Sequence, residues 1–278
     1  MRINYSRVAM FQRCPRFYHW RFILNLVPPK EPLPLLVGRA VHAGLAALYA
    51  KTKDPAEYLN KVFEDVIETG HWLGPELEEL QKQQQYSRFI LEGYQRQWPN
   101  EPFTVLAPEV EGSVELPASR HILQFRTDAV VSWKGRPWLL EHKTTAQLGP
   151  TFFRKFRMDG QITCYVYAVW RTLGERPVGA IINAIRKSRK LDSAEFARDV
   201  VMRSERQIHD FLQQFTRQVD AIEASDPAES EAWPQHTDAC VQFNRGCPYL
   251  DLCSNDTPDM RALYVTRPPD YVDGEETQ

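Results

Sequence analysis

The sequence carries no surplus of charge. Its 278 residues hold 34 Lys and Arg against 36 Asp and Glu, a net charge of −2. No global basic field therefore draws the chain to nucleic acid or to a membrane, and any nucleic-acid contact has to come from a local basic surface. No apolar run is long enough to span a bilayer. The opening stretch "MRINYSRVAMFQRCPRFYHW" lacks the apolar core and small-residue cleavage site of a secretory signal, so a cytoplasmic protein is expected. There is no G-x-x-x-x-G-K-[ST] phosphate loop, so any unwinding of strands falls to a partner. Internal repeats and low-complexity tracts are absent. Cysteines number only five, and none forms a C-x2-C zinc knuckle.

Apolar residues make up 43% of the chain, enough for a substantial core. Ser6 can cap a short helix at "RVAMFQR", and Pro15 can open another, leaving Cys14 at the junction. The proline-rich "VPPKEPLPLL" reads as a loop. Val41, Leu45 and Leu48/Tyr49 share one helical face, as do Tyr86, Phe89/Ile90, Tyr94 and Trp98. Residues 1–100 thus look mostly helical.

The period then changes. "FTVLAPEVEGSVEL", "HILQFRTDAVVSW" and "RPWLLEHKTT" read as strands, the last two joined by a tight hairpin at "WKGR". A helix is expected over 160–173, strands at "VGAIINAIRK" and "FARDVVMR", and an amphipathic helix over 204–224. The tail "PPDYVDGEETQ" reads as frayed. Helices around a central mixed sheet make an α/β or α+β fold. The expected organisation is a single domain over 1–278, with a helical part to 100, a sheet core over 101–203, and a C-terminal helix and cysteine segment over 204–260.

One strand carries unusual polar residues. In "LLEHKTT", Glu141 and Lys143 point to the same face, and Trp138, Leu140 and His142 to the other. The hairpin can bring Asp128 beside Glu141. Two adjacent carboxylates repel unless one is protonated or a cation lies between them. A hard ion such as Mg²⁺ or Mn²⁺ suits oxygen ligands. Lys143 could then orient a water or steady charge on a phosphoryl oxygen, a set of parts suited to phosphodiester hydrolysis. The same E-x-K spacing also arises as an ordinary ion pair on an exposed strand.

The stretch "CVQFNRGCPYLDLC" places Cys240, Cys247 and Cys253 in a C-x6-C-x5-C pattern, one thiolate short of a four-sulfur site. Cys14 and Cys164 are the candidates for the fourth, though Cys164 sits mid-helix, where cysteines are usually small core residues. Spacing alone does not separate iron–sulfur from Zn²⁺. Reduced thiols are the rule in the expected compartment, so a disulfide is disfavoured.

Taken in order, "FQRCPRFY", "GRAVHAGL", "RTDAVV", "LLEHKTT", "QITCYVYA" and the cysteine cluster resemble the PD-(D/E)XK nuclease superfamily in its RecB-like branch. They are most similar to members with an iron–sulfur cluster: AddB-type and CRISPR-associated RecB-like exonucleases and phage relatives. The resemblance spans Cys14 to Cys253. It implies a restriction-endonuclease-like α/β fold and a catalytic set of Asp128, Glu141, Lys143, Gln161 and Tyr165. It implies a metal site of His42, Asp128, Glu141 and the His142 backbone carbonyl, taking Mg²⁺ or Mn²⁺. It implies a 4Fe–4S cluster on Cys14, Cys240, Cys247 and Cys253, Zn²⁺ being the alternative. Such a cluster would staple the N-terminal helix to the C-terminal segment. Glu109 or Glu111 could act as an auxiliary acid, or simply line an exposed strand face.

The implied activity is a DNA exonuclease acting on single strands or ends in recombination, repair or phage replication, with a separate helicase or recombination protein as partner. The alternative is a non-catalytic, cluster-stabilised DNA-binding or adaptor subunit. "RCPRFYHWRF" and "FFRKFRMDG" mix basic and aromatic residues as strand-binding surfaces do. The first could equally be ordinary packing. The second precedes the Gln161 helix and is expected to touch DNA.

Overall fold

The computed structural model describes residues 1–149, 151–242 and 245–267. The expected frayed tail, 268–278, lies outside them. In chain order the elements are β1 (Arg2–Ile3), α1 (Tyr5–Arg13), α2 (Pro15–Tyr18), β2 (Leu26–Val27), α3 (Leu33–Tyr49), α4 (Pro55–Thr69), α5 (Gly74–Gln97), β3 (Thr104–Glu115), β4 (Ile122–Trp133), β5 (Arg136–Thr145), α6 (Gly160–Leu173), β6 (Gly179–Lys187), β7 (Ala194–Met202), α7 (Glu205–Ala224), β8 (Val241–Gln242), β9 (Arg245–Gly246), α8 (Leu250–Ser254), α9 (Pro258–Arg261) and β10 (Val265–Thr266). The chain is a mixed α/β protein. It divides into two compact units. One holds Met1–Glu31, Glu115–Gln124 and the described residues from Asp210 onward; the other holds Pro32–Val114 and Phe125–His209.

In the second unit β5 is the central strand. It pairs antiparallel with β4, Ala129 opposite Leu140, and parallel with β6, Glu141 opposite Ile182. β7 pairs antiparallel with β6, and β3 pairs with β4. The β4–β5 turn is Lys134–Gly135, with φ of 52° and 70°. Two left-handed residues give the hairpin a twist that matches its strands. Both faces of β5 are buried from Pro137 to Thr144, as a strand between two covering layers requires. Trp138 and Leu140 pack with Leu45, Leu59, Phe63, Ile90 and Leu91 of α3, α4 and α5. Gly179 is required by close approach: a Cβ there would lie 1.9 Å from the Val201 carbonyl oxygen.

Two boundaries differ from the sequence expectation. α3 begins at Leu33, inside the proline-rich stretch read as a loop. Pro34 is tolerated because the first turn of a helix needs no N–H there. α1 is capped by Asn4 rather than Ser6, with the Asn4 side chain accepting from the Arg7 N–H at 2.9 Å.

The first unit is built on aromatic packing. β1 pairs in parallel with Ile122 and Leu123. Leu212, Phe215, Val219 and Ile222 of α7 are buried, as its amphipathic pattern predicts, and Tyr5 stacks on Phe215. Phe17, Trp20, Tyr249 and Leu252 form a core with Cys14, Cys247 and Cys253 packed against it. Phe17, Tyr18 and Trp20 are buried, and Arg16 donates to the Trp233 carbonyl at 2.8 Å. The stretch "RCPRFYHWRF" therefore spends its aromatics on packing.

Candidate active site

The β4–β5 register brings Asp128 beside Glu141, one step past the Ala129–Leu140 pair and in the middle of both strands. Asp128 accepts a hydrogen bond from the His142 backbone N–H at 2.7 Å, and its other oxygen lies 3.1 Å from His42 Nδ1. Glu141 and Lys143, two residues apart on one face of β5, form a buried ion pair of 2.9 Å. Lys143 also donates to the Gln161 side chain at 2.5 Å, and Gln161 donates to the Tyr165 hydroxyl at 3.2 Å. The i,i+4 spacing on α6 makes that last contact available. The second unit thus gathers His42, Asp128, Glu141, Lys143, Gln161 and Tyr165 in one connected group.

Burial decides the electrostatics. It pushes the Glu141 carboxyl up to about 7, with Asp128 repelling its charge and Lys143 opposing the shift. It also raises Asp128, but the His42 imidazole beside it and the His142 backbone N–H outweigh it and hold Asp128 below the ordinary carboxylate range. One carboxylate is therefore poised to be charged and its neighbour to hold a proton, as expected for adjacent acids without a cation. The folded state favours protonated Glu141 relative to the unfolded chain. That contribution is complete below the ordinary glutamate range and is lost as pH rises through about 7. In EDTA, the melting temperature of the wild type falls more steeply than that of Glu141→Gln between pH about 5 and about 8. Equal slopes in the two proteins would refute this reading of Glu141.

His142 plays a different part from His42. Its side chain is buried, stacked on Tyr49 with ring centroids 5.6 Å apart. Arg198 Nε donates to Asn183 Oδ1 at 3.1 Å. This turns the Asn183 amide nitrogen toward His142 Nδ1, 2.6 Å away. A donor facing Nδ1 requires that nitrogen to be unprotonated. Burial agrees, drawing His142 down to about 3 despite the pull of Asp128.

Sequence reasoning missed the residues that make this support. Arg198 bonds Glu101 at 2.8 Å and Tyr94 at 2.6 Å, and its guanidinium lies 3.9 Å above the Trp98 ring. Tyr49 donates to Glu101 at 2.7 Å. Tyr49 and Tyr94 were visible only as members of apolar helix faces. Arg198, Asn183 and Glu101 carried no pattern at all. Glu109 and Glu111 are exposed on β3, with Glu109 in left-handed backbone.

The fit of a cation can be judged from what burial leaves unsatisfied. Glu141 Oε2 and His42 Nε2 are buried with no hydrogen-bond partner among the described residues, a state that costs about 1–3 kcal/mol each. A divalent ion would satisfy both. Among the described residues, no three His, Cys, Asp or Glu side chains already stand at metal-holding separations. An open set of carboxylate oxygens with one imidazole nitrogen suits an ion that keeps several of its own waters.

The scan against protein families matches the PD-(D/E)XK nuclease superfamily over residues 2–254. The chain belongs to that superfamily. Fourteen solved chains resemble this nuclease-family protein. A protein from Eubacterium rectale, provisionally assigned as an exonuclease, aligns over 78% of this chain and 79% of its own, at 12% identity and a TM-score of 0.47. SSO0001 aligns over 65% of this chain and 74% of its own, at 12% identity and a TM-score of 0.28. No curated protein matches. Among the described residues, no helix is long and apolar enough to cross a membrane.

The cysteines fall into two groups. Cys164 is buried within α6. Cys14, Cys240, Cys247 and Cys253 line one small cavity in the first unit. The Trp20 indole N–H donates to Cys253 Sγ at 3.2 Å, and the His236 backbone N–H to Cys14 Sγ at 3.5 Å. None of the five is disulfide-bonded.

Proposed function

We propose that this protein is a Mg²⁺- or Mn²⁺-dependent deoxyribonuclease of the RecB-like branch, acting as an exonuclease on single strands or DNA ends. The Asp128–Glu141–Lys143 group, with Glu141 and Lys143 buried, Asp128 half-buried beside them and one Glu141 oxygen orphaned, is the observation that carries this reading. Asp128, Glu141 and His42 would hold the ion, with the His142 carbonyl as a further ligand. A bound ion of this kind supplies Lewis-acid polarisation of a phosphoryl oxygen and a more acidic water.

The protein's own groups do the rest. Lys143 is anchored by Glu141 on one side and Gln161 on the other, so its ammonium is fixed before substrate arrives, which lowers the cost of meeting developing negative charge. Tyr165 steadies Gln161. Neutral His142, locked by Asn183, keeps its backbone N–H aimed at Asp128. Exonuclease action requires an end. Linear single-stranded DNA is therefore degraded in Mg²⁺ while a circle of the same sequence survives; equal digestion of both would reject the exonuclease assignment.

Cys14, Cys240, Cys247 and Cys253 are proposed to hold a 4Fe–4S cluster. Their shared cavity and the N–H groups directed at two of the sulfurs support four-thiolate ligation, since such hydrogen bonds stabilise cluster-bound thiolates. The cluster would fasten chain segments more than two hundred residues apart, removing freedom from the unfolded state. Anaerobically purified protein is expected to be brown and to contain iron with acid-labile sulfide, and Cys14→Ser to lose both. Colourless wild-type protein carrying one zinc would replace the cluster with a zinc staple. A helicase or recombination protein is the proposed partner, because the chain has no phosphate loop of its own.

A further inference from the structure

A short basic turn stands immediately before α6. Residues Phe153–Met158 form a 3₁₀ turn in which Arg154, Lys155, Arg157 and Met158 are exposed. None of the three cations takes part in an ion pair among the described residues. The Lys155 ammonium lies over two rings at once, 4.7 Å from the Phe152 centroid and 4.9 Å from that of Phe156. Phe156 is buried and anchors the turn from beneath.

The turn is mounted rigidly. Arg203, itself only 2% exposed, donates to the carbonyls of Phe156 at 2.7 Å and Asp159 at 3.0 Å, and to the Thr163 hydroxyl at 2.7 Å. The Asp159 side chain caps α6 by accepting from the Ile162 N–H at 3.0 Å. Two residues on from Asp159 stands Gln161, the partner of Lys143. The Lys143–Gln161 hydrogen bond at 2.5 Å ties β5 to the first turn of α6, three residues beyond the end of the basic turn. Concentrating unpaired cations on a clamped turn costs self-repulsion, which a polyanion relieves. Half-buried Phe152 and Phe153 add apolar surface of the kind that unstacked bases seek.

We propose that the Phe152–Met158 turn is a binding platform for the substrate strand, with Lys155 holding a backbone phosphate next to the one attacked and Arg154 and Arg157 holding its neighbours. The ligand class is single-stranded nucleic acid. The proposal rests on the nuclease reading of the site.

The test uses the full chain carrying Asp128→Asn, so that the probe survives, and a fluorescein-labelled single-stranded oligonucleotide read by anisotropy over a salt series. Lys155→Ala in that background raises Kd several-fold and flattens the slope of log K against log salt by about 0.7; Arg154→Ala/Lys155→Ala/Arg157→Ala together flatten it by about 2. Lys155→Arg keeps the parent slope. These side chains are exposed, so an unchanged melting temperature accompanies the loss, and a general structural defect would not move the salt slope selectively. A slope and Kd equal to the parent's in the triple variant overturn the platform while leaving the nuclease reading intact. No binding by the Asp128→Asn parent, together with no metal-dependent cleavage by the wild type, overturns both.

Discussion

Asp128→Ala lowers DNA cleavage by about a thousandfold or more, the loss expected when several kcal/mol of metal-based transition-state stabilisation are removed. The reason lies in what Asp128 joins. It is the one carboxylate in the group held charged, it touches His42, and it accepts the backbone N–H of His142. Its removal takes away a proposed ion ligand and the acceptor of the His142 backbone N–H at the same stroke. Lys143→Ala costs less, roughly 10²–10³-fold in kcat, as for the loss of one positioned charge. A lysine acting only on the transition state leaves KM nearly unchanged. The folded state responds in a more complex way, because removing Lys143 leaves Glu141 buried without its cation. Steady-state cleavage measured on protein of verified melting temperature separates these effects. Full activity in either variant would remove the residue from the mechanism.

Arg198→Ala destabilises the protein by about 2–3 kcal/mol, below the range for a fully buried ion pair stripped of one partner because Arg198 and Glu101 keep 10% and 19% of their side chains exposed. Arg198 is the hub of a largely buried polar network. Its loss leaves the Glu101 carboxylate without its cation, the Asn183 carbonyl oxygen without a donor, and the Trp98 ring without the guanidinium above it. Arg198→Lys recovers only part, since an ammonium cannot reproduce the forked contacts. Activity falls as well, because the Asn183 amide keeps only its Tyr94 contact at 3.1 Å to orient it, and His142 is held less firmly. Denaturant titration gives the stability. A change below about 1 kcal/mol would show that the network is not the support described here.

The strand of the candidate site was legible because strand parity is strict. Glu141 and Lys143 share a face whatever surrounds them, and the turn residues Lys134 and Gly135 set the register that brings Asp128 alongside. The i,i+4 relation of Gln161 and Tyr165 was equally local. His42 was not accessible in this way. Nothing about one histidine in "GRAVHAGL" says what it meets, and only the resemblance of the whole ordered pattern assigned it. The start of α3 was obscured by prolines that serve a loop and a first helical turn equally well. The Arg198 network was illegible for a different reason. Tyr49, Tyr94, Glu101, Asn183 and Arg198 come from α3, α5, the segment before β3, β6 and β7, and no periodicity links residues that meet only in the fold. The mixed basic and aromatic stretches were ambiguous in composition, and burial separates them: Phe17, Tyr18 and Trp20 are internal, whereas Arg154, Lys155 and Arg157 are exposed.

The most direct test of the central claim is cleavage of end-labelled linear single-stranded DNA by the purified wild-type chain, in Mg²⁺ or Mn²⁺ and again after chelation. The account predicts degradation with either ion, none in EDTA, and recovery when the ion is restored. Undiminished cleavage in EDTA, or none with any divalent ion, would contradict it.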